Sequence, residues 1–178
     1  MNEISTIGLD LAKNVFQIHG VDASGAVGLR RQLRRGAVEK FFARLPPCLV
    51  GMEACGSAHH WARVIGSYGH QVRLMPPAYV KAYIKRNKND GRDAEAICEA
   101  VTRPTMRFVP VKSVQQQATL AVHGVRSLLV RQRTMAANAL RAALSELGIV
   151  APQGYEGLRE LMTRLPAQTS PRTCGARC

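Results

Sequence analysis

The sequence predicts an α/β fold, in which a mixed sheet is flanked by helices and followed by a helical extension. In the first half, apolar runs of strand length alternate with segments whose apolar residues recur every three or four positions, as on one face of a helix. In the second half, the helical pattern continues over residues 114–147 without a strand-like run. The chain is 46% hydrophobic, which is enough for a packed core.

The first three predicted strands follow one another directly, over residues 4–10, 14–21 and 26–33. A turn-forming Asp-Ala-Ser-Gly sequence at residues 22–25 separates the second strand from the third. Short connections join neighbouring antiparallel strands, so we expect a three-stranded meander.

Helices and strands then alternate. The predicted elements are a helix over residues 37–45, a strand over 48–53, a helix over 57–68 capped by Ser57, a strand over 71–75 and a short helix after Pro76-Pro77. Right-handed crossovers place the last two strands beside the first. The carboxyl ends of the first and fourth strands then meet at the edge where open α/β sheets hold their ligands.

Three regions are predicted from these patterns: an α/β domain over residues 1–112, a helical or coiled-coil segment over 113–165 and an irregular tail over 166–178. As one long helix, residues 114–147 run about 50 Å at ~1.5 Å per residue, and a break at Gly124 is the alternative. Its apolar positions over residues 128–147 favour self-association, so a homo-oligomer is expected.

The charge predicts a polyanionic partner. The chain has 25 Lys and Arg against 12 Asp and Glu, a formal charge of +13, and 19 of the cations are arginine. Such a surface attracts nucleic acid, because neutralised phosphates release their counterions. No segment approaches the roughly 20 apolar residues that span a bilayer, and the start of the chain lacks a signal-peptide pattern. A cytoplasmic protein that does not bind membranes is expected, and the cysteine spacing fits no zinc motif.

Four acidic residues form the candidate site. Asp10 and Glu53 close two apolar runs, and Asp90 and Asp93 lie three residues apart at the predicted start of a helix. Magnesium prefers carboxylate oxygens, and two such ions stabilise the attacking and leaving oxygens of phosphodiester displacement. Asp90 and Asp93 alone also fit a helix cap. The four acids together, in a basic protein with this strand order, favour a metal site.

Three motifs carry a resemblance to a known family: Gly-Leu-Asp-Leu-Ala-Lys at residues 8–13, Gly-Met-Glu-Ala-Cys-Gly at 51–56 followed by His-His-Trp-Ala at 59–62, and Lys-Asn-Asp-Gly-Arg-Asp-Ala at 88–94. In this order they resemble the DEDD transposases of the IS110 (IS-one-ten) insertion-sequence family, which are related to the pilin-gene inversion recombinase. The resemblance covers residues 4–150.

The resemblance implies an N-terminal RuvC-like domain of the ribonuclease H type, followed by a helical coiled-coil segment. It implies that Asp10, Glu53, Asp90 and Asp93 are the catalytic acids, which bind Mg²⁺ or Mn²⁺. It also implies DNA transposition or recombination as the activity, with DNA and a structured guide RNA as partners. Family members continue into a second domain with a nucleophilic serine, which lies beyond this sequence, so we expect a truncated transposase region.

Several cations are candidate phosphate contacts. Lys13, Lys88 and Arg92 lie beside the acids in the sequence, and Arg126 and Arg133 lie on the polar side of the long helix. A solvated helix face is the competing interpretation for the last two residues. All five cations are the predicted nucleic-acid-binding residues.

Two other functions use the same features. A RuvC-like branched-DNA endonuclease needs the same acids and no second domain. A non-catalytic DNA- or RNA-binding remnant needs only the charge. A sugar-kinase-like ATPase is disfavoured, because its phosphate loop requires Gly and Thr after the first aspartate, where this chain has Leu11-Ala12-Lys13.

Overall fold

The computed structural model describes residues 3–83 and 90–168, with the side chains of residues 90 and 165–168 left aside. The chain divides into two compact units between Gln117 and Ala118. In chain order the elements are β1 (Thr6–Asp10), β2 (Val15–Val21), β3 (Val27–Arg34), α1 (Arg35–Phe42), β4 (Leu49–Glu53), α2 (Ala58–Ser67), β5 (Gln71–Met75), α3 (Pro77–Val80), a 3₁₀ turn (Lys81–Tyr83), α4 (Asp90–Val101), α5 (Val114–Ser145) and α6 (Gly154–Gln168).

The first unit contains one five-stranded mixed sheet, in the order β3-β2-β1-β4-β5. β1, β2 and β3 form the expected antiparallel meander. β4 pairs with β1 and β5 pairs with β4, both in parallel. The predicted α/β class, the meander and the position of the last two strands are therefore confirmed.

Apolar side chains cover both faces of this sheet. On one face, Leu9 and Met52 pack in a buried cluster with Phe42 of α1 and Trp61 of α2. On the opposite face, α4 packs against β1, β2 and β4 and contributes Ile97 to a second buried cluster. The sheet is thus the middle layer between α1 and α2 on one side and α4 on the other.

Two glycines let α4 approach the sheet closely. Gly8 of β1 and Gly51 of β4 are neighbours in the parallel register. A Cβ atom on Gly8 would lie 2.0 Å from the carbonyl oxygen of Ala94 and 2.4 Å from the backbone nitrogen of Cys98. A Cβ atom on Gly51 would lie 2.7 Å from the Cβ of Val101. Because only glycine fits at these positions, α4 lies directly on the two strands that carry Asp10 and Glu53.

A buried histidine joins three chain segments of the first unit. His70 donates from Nε2 to the carbonyl oxygen of Phe42 at 2.9 Å. Its Nδ1 accepts the backbone N–H of Cys48 at 3.2 Å, which fixes the proton on Nε2. Burial raises the pKa of the neighbouring Cys48 thiol to about 11, so this cysteine is not a nucleophile. Both residues have a structural role.

The long helix α5 begins with a reciprocal cap. The Ser113 hydroxyl accepts the Gln116 N–H at 3.1 Å, and Gln116 accepts the Ser113 N–H at 2.9 Å. The helix continues through Gly124, so the single helix is confirmed and the alternative of a break at this residue is not. A glycine within a helix costs only about 1 kcal/mol, which the flanking helical residues offset.

The second unit contains most of α5, together with α6, and Arg141 of α5 donates to the carbonyl oxygen of Gly154 at the start of α6. Within residues 3–83 and 90–168, no helix combines the length and hydropathy needed to cross a bilayer.

Candidate metal centre

Asp10 and Glu53 end neighbouring parallel strands. The register pairs Leu9 of β1 with Met52 of β4, so the two acids follow at equivalent positions. Adjacent strands lie about 4.8 Å apart, and side chains two residues apart share one face of a sheet. Asp10 and Glu53 therefore lie on the same face as Gly8 and Gly51, the face that α4 covers. Both residues are partly buried.

Asp93 belongs to α4, the helix that packs against this face of the sheet. It precedes Ala94, whose carbonyl oxygen makes the closest approach to the Gly8 position. The Oδ1 atom of Asp93 is buried and has no hydrogen-bond partner in the described part of the chain. Buried carboxylate oxygens are nearly always hydrogen-bonded, so such an atom fits a ligand position better than a helix cap.

The charges of Asp10 and Asp93 act on Glu53. The pKa of Glu53 is raised, first by burial and then by the negative charges of Asp10 and Asp93. Lys81, in the turn after α3, acts in the opposite direction. Because the ionised form of Glu53 is disfavoured in the folded protein, ionisation of this residue lowers the free energy of unfolding. The stability that the protonated form retains is lost as pH rises through the raised pKa. A bound cation would reverse this effect by stabilising the ionised carboxylates.

The donor set fits a hard divalent cation. Carboxylate oxygens from two strand ends and one helix are the ligands that magnesium prefers, with water completing the octahedron. Asp90 begins α4, three positions before Asp93, so its backbone lies at the same end of that helix. Among the described residues, no three His, Cys, Asp or Glu side chains are close enough together to hold an ion as they stand.

The predicted phosphate contacts are distributed over both units. Lys13 follows β1 and is exposed, and Arg92 is exposed beside Asp93. Lys88 lies outside the described residues. Arg126 and Arg133 are exposed on α5, within the second unit. Within the first unit, Asp10 and Asp93 lie close enough to Glu53 for their charges to act on it, whereas Arg126 and Arg133 belong to the second unit.

Lys81 is a cation of the site that the sequence analysis missed. It is exposed, and its charge acts on Glu53. The only signal in the sequence was its position in the short helical segment after the fifth strand, which starts with Pro76-Pro77. Its closeness to Glu53 depends on the path of the chain after β5, which no local pattern predicts.

The histidine motif on α2 is structural. Nδ1 of His59 accepts the backbone N–H of Lys112 at 3.1 Å, and Arg63 donates to the carbonyl oxygen of the same residue. Burial, together with the charges of Lys112 and Arg63, lowers the pKa of His59. His59 therefore holds the segment that leads into α5, as a helix-packing histidine rather than a metal ligand.

Comparison with known proteins decides the family. The family model of the IS110-type DEDD transposases, described as "Transposase", matches residues 7–149. The chain belongs to the IS110 family of DEDD transposases. The match includes both strand-end acids and the whole of α4, so the resemblance drawn from the three motifs is confirmed.

Individual relatives carry the same kind of name. The chain is 60% identical over 148 residues to a "Probable family 20 transposase" of Pseudomonas aeruginosa, which covers 83% of this chain and 44% of that protein. It is 46% identical over 163 residues to the transposase for insertion sequence element IS1328 of Yersinia enterocolitica, covering 92% of this chain and 49% of that protein. It is 40% identical over 176 residues to the transposase for element IS1111A of Coxiella burnetii, covering 97% and 48%.

The chain thus spans about half the length of the curated relatives that it matches. The region that the family model matches, residues 7–149, contains the sheet except for Thr6, together with Asp10, Glu53, Asp90 and Asp93.

Proposed function

We propose that the first unit is a RuvC-like catalytic domain of the ribonuclease H type, which performs metal-dependent DNA strand cleavage and joining in transposition. The observation that carries this proposal is the placement of Asp10 and Glu53 at equivalent ends of neighbouring parallel strands, on the face against which α4 packs with the buried Oδ1 of Asp93. The strand order and the family match support it.

In the proposed mechanism, Asp10, Glu53, Asp93 and Asp90 hold Mg²⁺ or Mn²⁺ at the open edge of the sheet. When bound, the metal would polarise the phosphodiester group and stabilise the attacking and leaving oxygens. Asp10 and Glu53 supply ligands from rigid strand ends, and α4 fixes the position of Asp93.

Nearby cations would orient the DNA. Lys81, Lys13 and Arg92 are exposed near the acids in space or in sequence, and each offers a positive charge to a phosphate of the DNA backbone. Phosphate contacts fix the position of the DNA without reading its sequence. A coiled-coil extension over α5, binding of a structured guide RNA and self-association through residues 128–147 stay predictions.

Iron-directed cleavage tests this proposal without requiring complete recombination. Fe²⁺ takes the place of Mg²⁺, and with ascorbate and peroxide it generates radicals that cut only nearby DNA. With end-labelled duplex DNA bound, we expect cuts confined to a few nucleotides. We expect Asp10→Asn and Asp93→Asn to abolish these cuts while the DNA stays bound, because the acids hold the metal.

Glu99→Gln is the matched control. Glu99 lies on α4 as Asp93 does, and it pairs with Arg103 at the surface. This variant removes the same charge and should leave the cuts unchanged. Uniform cutting along the duplex, or the same pattern in Asp10→Asn as in the wild type, would contradict the proposal and favour a DNA-binding remnant without a metal site.

A further inference from the structure

A basic groove lies on the side of the sheet that the carboxylates do not occupy. It has a volume of about 380 Å³ and lies between β3 and the helix α1 that follows it. We call it the edge groove; its lining residues are Arg31, Leu33, Ala37, Lys40, Phe41, Arg44 and Leu45. Three of the seven residues are cations and none is an acid, so the groove complements an anion.

The register fixes where the edge groove lies. β3 is an edge strand of the sheet, and its Arg31 pairs with Ile18 of β2, which in turn pairs with Leu9 of β1. Leu9 and Ile18 belong to the core on the α1 and α2 face, so Arg31 projects from that face. Asp10 projects from the opposite face. Two strand spacings, about 10 Å, separate Arg31 from Leu9. The edge groove is therefore a surface separate from the candidate metal centre.

The cations of the edge groove have no partner within the described residues. Arg31, Lys40 and Arg44 are all exposed, and none forms an ion pair or a hydrogen bond through its side chain there. Nearby arginines differ. Arg30, the neighbour of Arg31 on the opposite face, lies 4.0 Å from Glu95, and Arg35 stacks over Trp61 at 5.3 Å. The groove thus keeps three charges available for a ligand.

The spacing of these charges suits an extended polyanion. Lys40 lies on α1, and Arg44 lies in the turn after it, where its N–H donates to the carbonyl oxygen of Phe41 at 3.2 Å; both residues line the edge groove. Arg31 faces them from the strand. The guanidinium groups can each bind a phosphate through two donors, and Lys40 adds a point charge. The apolar lining residues Leu33 and Phe41 are buried and half-buried, respectively.

We propose that the edge groove binds the phosphate backbone of duplex DNA, as a second DNA contact on the face opposite the carboxylates. Its contacts are to phosphates, so it adds affinity without sequence preference. This inference extends the proposed function to a surface that takes no part in the metal chemistry. DNA bound in the edge groove would contact the protein beside β3, the edge strand of the sheet.

Edge-strand charges also have a protective role, because they prevent two sheets from pairing edge to edge. The two roles predict different results. Removing a protective charge would promote self-association and leave DNA binding unchanged. Removing a phosphate contact would weaken DNA binding and leave the protein in its original association state.

The test compares two triple variants that lose the same charge. The groove variant carries Arg31→Gln, Lys40→Gln and Arg44→Gln. The control variant carries Arg30→Gln, Arg103→Gln and Arg164→Gln, three exposed arginines that lie within 4.0 Å of an acid elsewhere on the surface. Binding of a fluorescent DNA duplex is followed by anisotropy over a range of salt concentrations. Circular dichroism and sedimentation check folding and association.

We expect the groove variant to bind DNA on the order of 100-fold more weakly at about 0.1 M salt, with a salt slope smaller by about 2.7, from three lost phosphate contacts. The control variant should keep the slope of the wild type. Manganese binding should be unchanged in the groove variant, which separates this inference from the metal centre.

Three outcomes would overturn the proposal. Equal slopes in the two triple variants would show that only net charge matters. Self-association of the groove variant with unchanged DNA affinity would show that the cations protect the edge. A groove-dependent preference of tenfold or more for duplex RNA of the same length would assign the groove to RNA.

Discussion

Replacing Gly8 with alanine is expected to lower the stability of the first unit by about 3 kcal/mol, the upper end of the usual range for overpacking a core. The new Cβ atom would lie 2.0 Å from the carbonyl oxygen of Ala94 and 2.4 Å from the backbone nitrogen of Cys98. Both contacts are with backbone atoms, so no change of rotamer relieves them. Helix α4 must move away from β1. For a chain of this size, the loss corresponds to a melting temperature lower by roughly 6 to 12 °C.

The same variant should also weaken metal binding, because the displaced helix carries Asp93. Gly66→Ala is the matched control. Gly66 lies within α2, where an added Cβ atom meets nothing within 4 Å, and alanine there favours the helix by up to about 1 kcal/mol. Thermal denaturation followed by circular dichroism measures both variants. Equal melting temperatures for Gly8→Ala and Gly66→Ala would contradict the close approach of α4 to the sheet.

Trp61→Ala is expected to destabilise the first unit by about 3 to 5 kcal/mol, the usual loss for a large aromatic residue in a core. Trp61 is 6% exposed and contacts Phe16 edge to face, with ring centroids 5.1 Å apart. Arg35 lies over its ring at 5.3 Å. Trp61 lies in one of the three family motifs, but its contacts are those of a core residue. Denaturant-induced unfolding measures the loss.

Trp61→Phe provides the control for this prediction. The indole Nε1 of Trp61 is buried and has no hydrogen-bond partner among the described residues, so phenylalanine removes no described bond. We expect a smaller loss, with manganese binding intact in both variants below their melting temperatures. A stable Trp61→Ala protein that has lost manganese binding would instead give this residue a role in the site.

The sequence predicted the fold well where the local pattern was strong. β5 covers the predicted residues 71–75, and the other strands begin within two residues of their expected positions. Each is an apolar or alternating run bounded by turn residues, so its length is fixed locally. The meeting of Asp10 with Glu53 followed from the strand order, because parallel strands side by side must end at the same edge.

Other features depended on contacts between distant segments. The tight fit of Gly8 under α4, the hydrogen bonds of His70 and the position of Lys81 near Glu53 all require the folded chain. The tetrapeptide at residues 59–62 belongs to the second family motif, and in the folded chain His59 holds Lys112 while Trp61 packs in the core. Ser57 occupies the predicted capping position of α2, but its side chain makes no capping hydrogen bond. The sequence pattern placed these residues on or beside α2, but it did not predict which atoms their side chains contact.

Manganese binding measured by calorimetry tests the central claim, that acids from both ends of the first unit form one metal site. The wild type is titrated with and without duplex DNA, beside Asp10→Asn, Asp93→Asn and the control Glu99→Gln. We expect binding in the wild type and the control, and none in the other two. Binding should strengthen as pH rises through the raised pKa of Glu53, because the proton competes with the metal. No binding by folded wild-type protein under either condition, or unchanged binding in Asp93→Asn, would contradict the account.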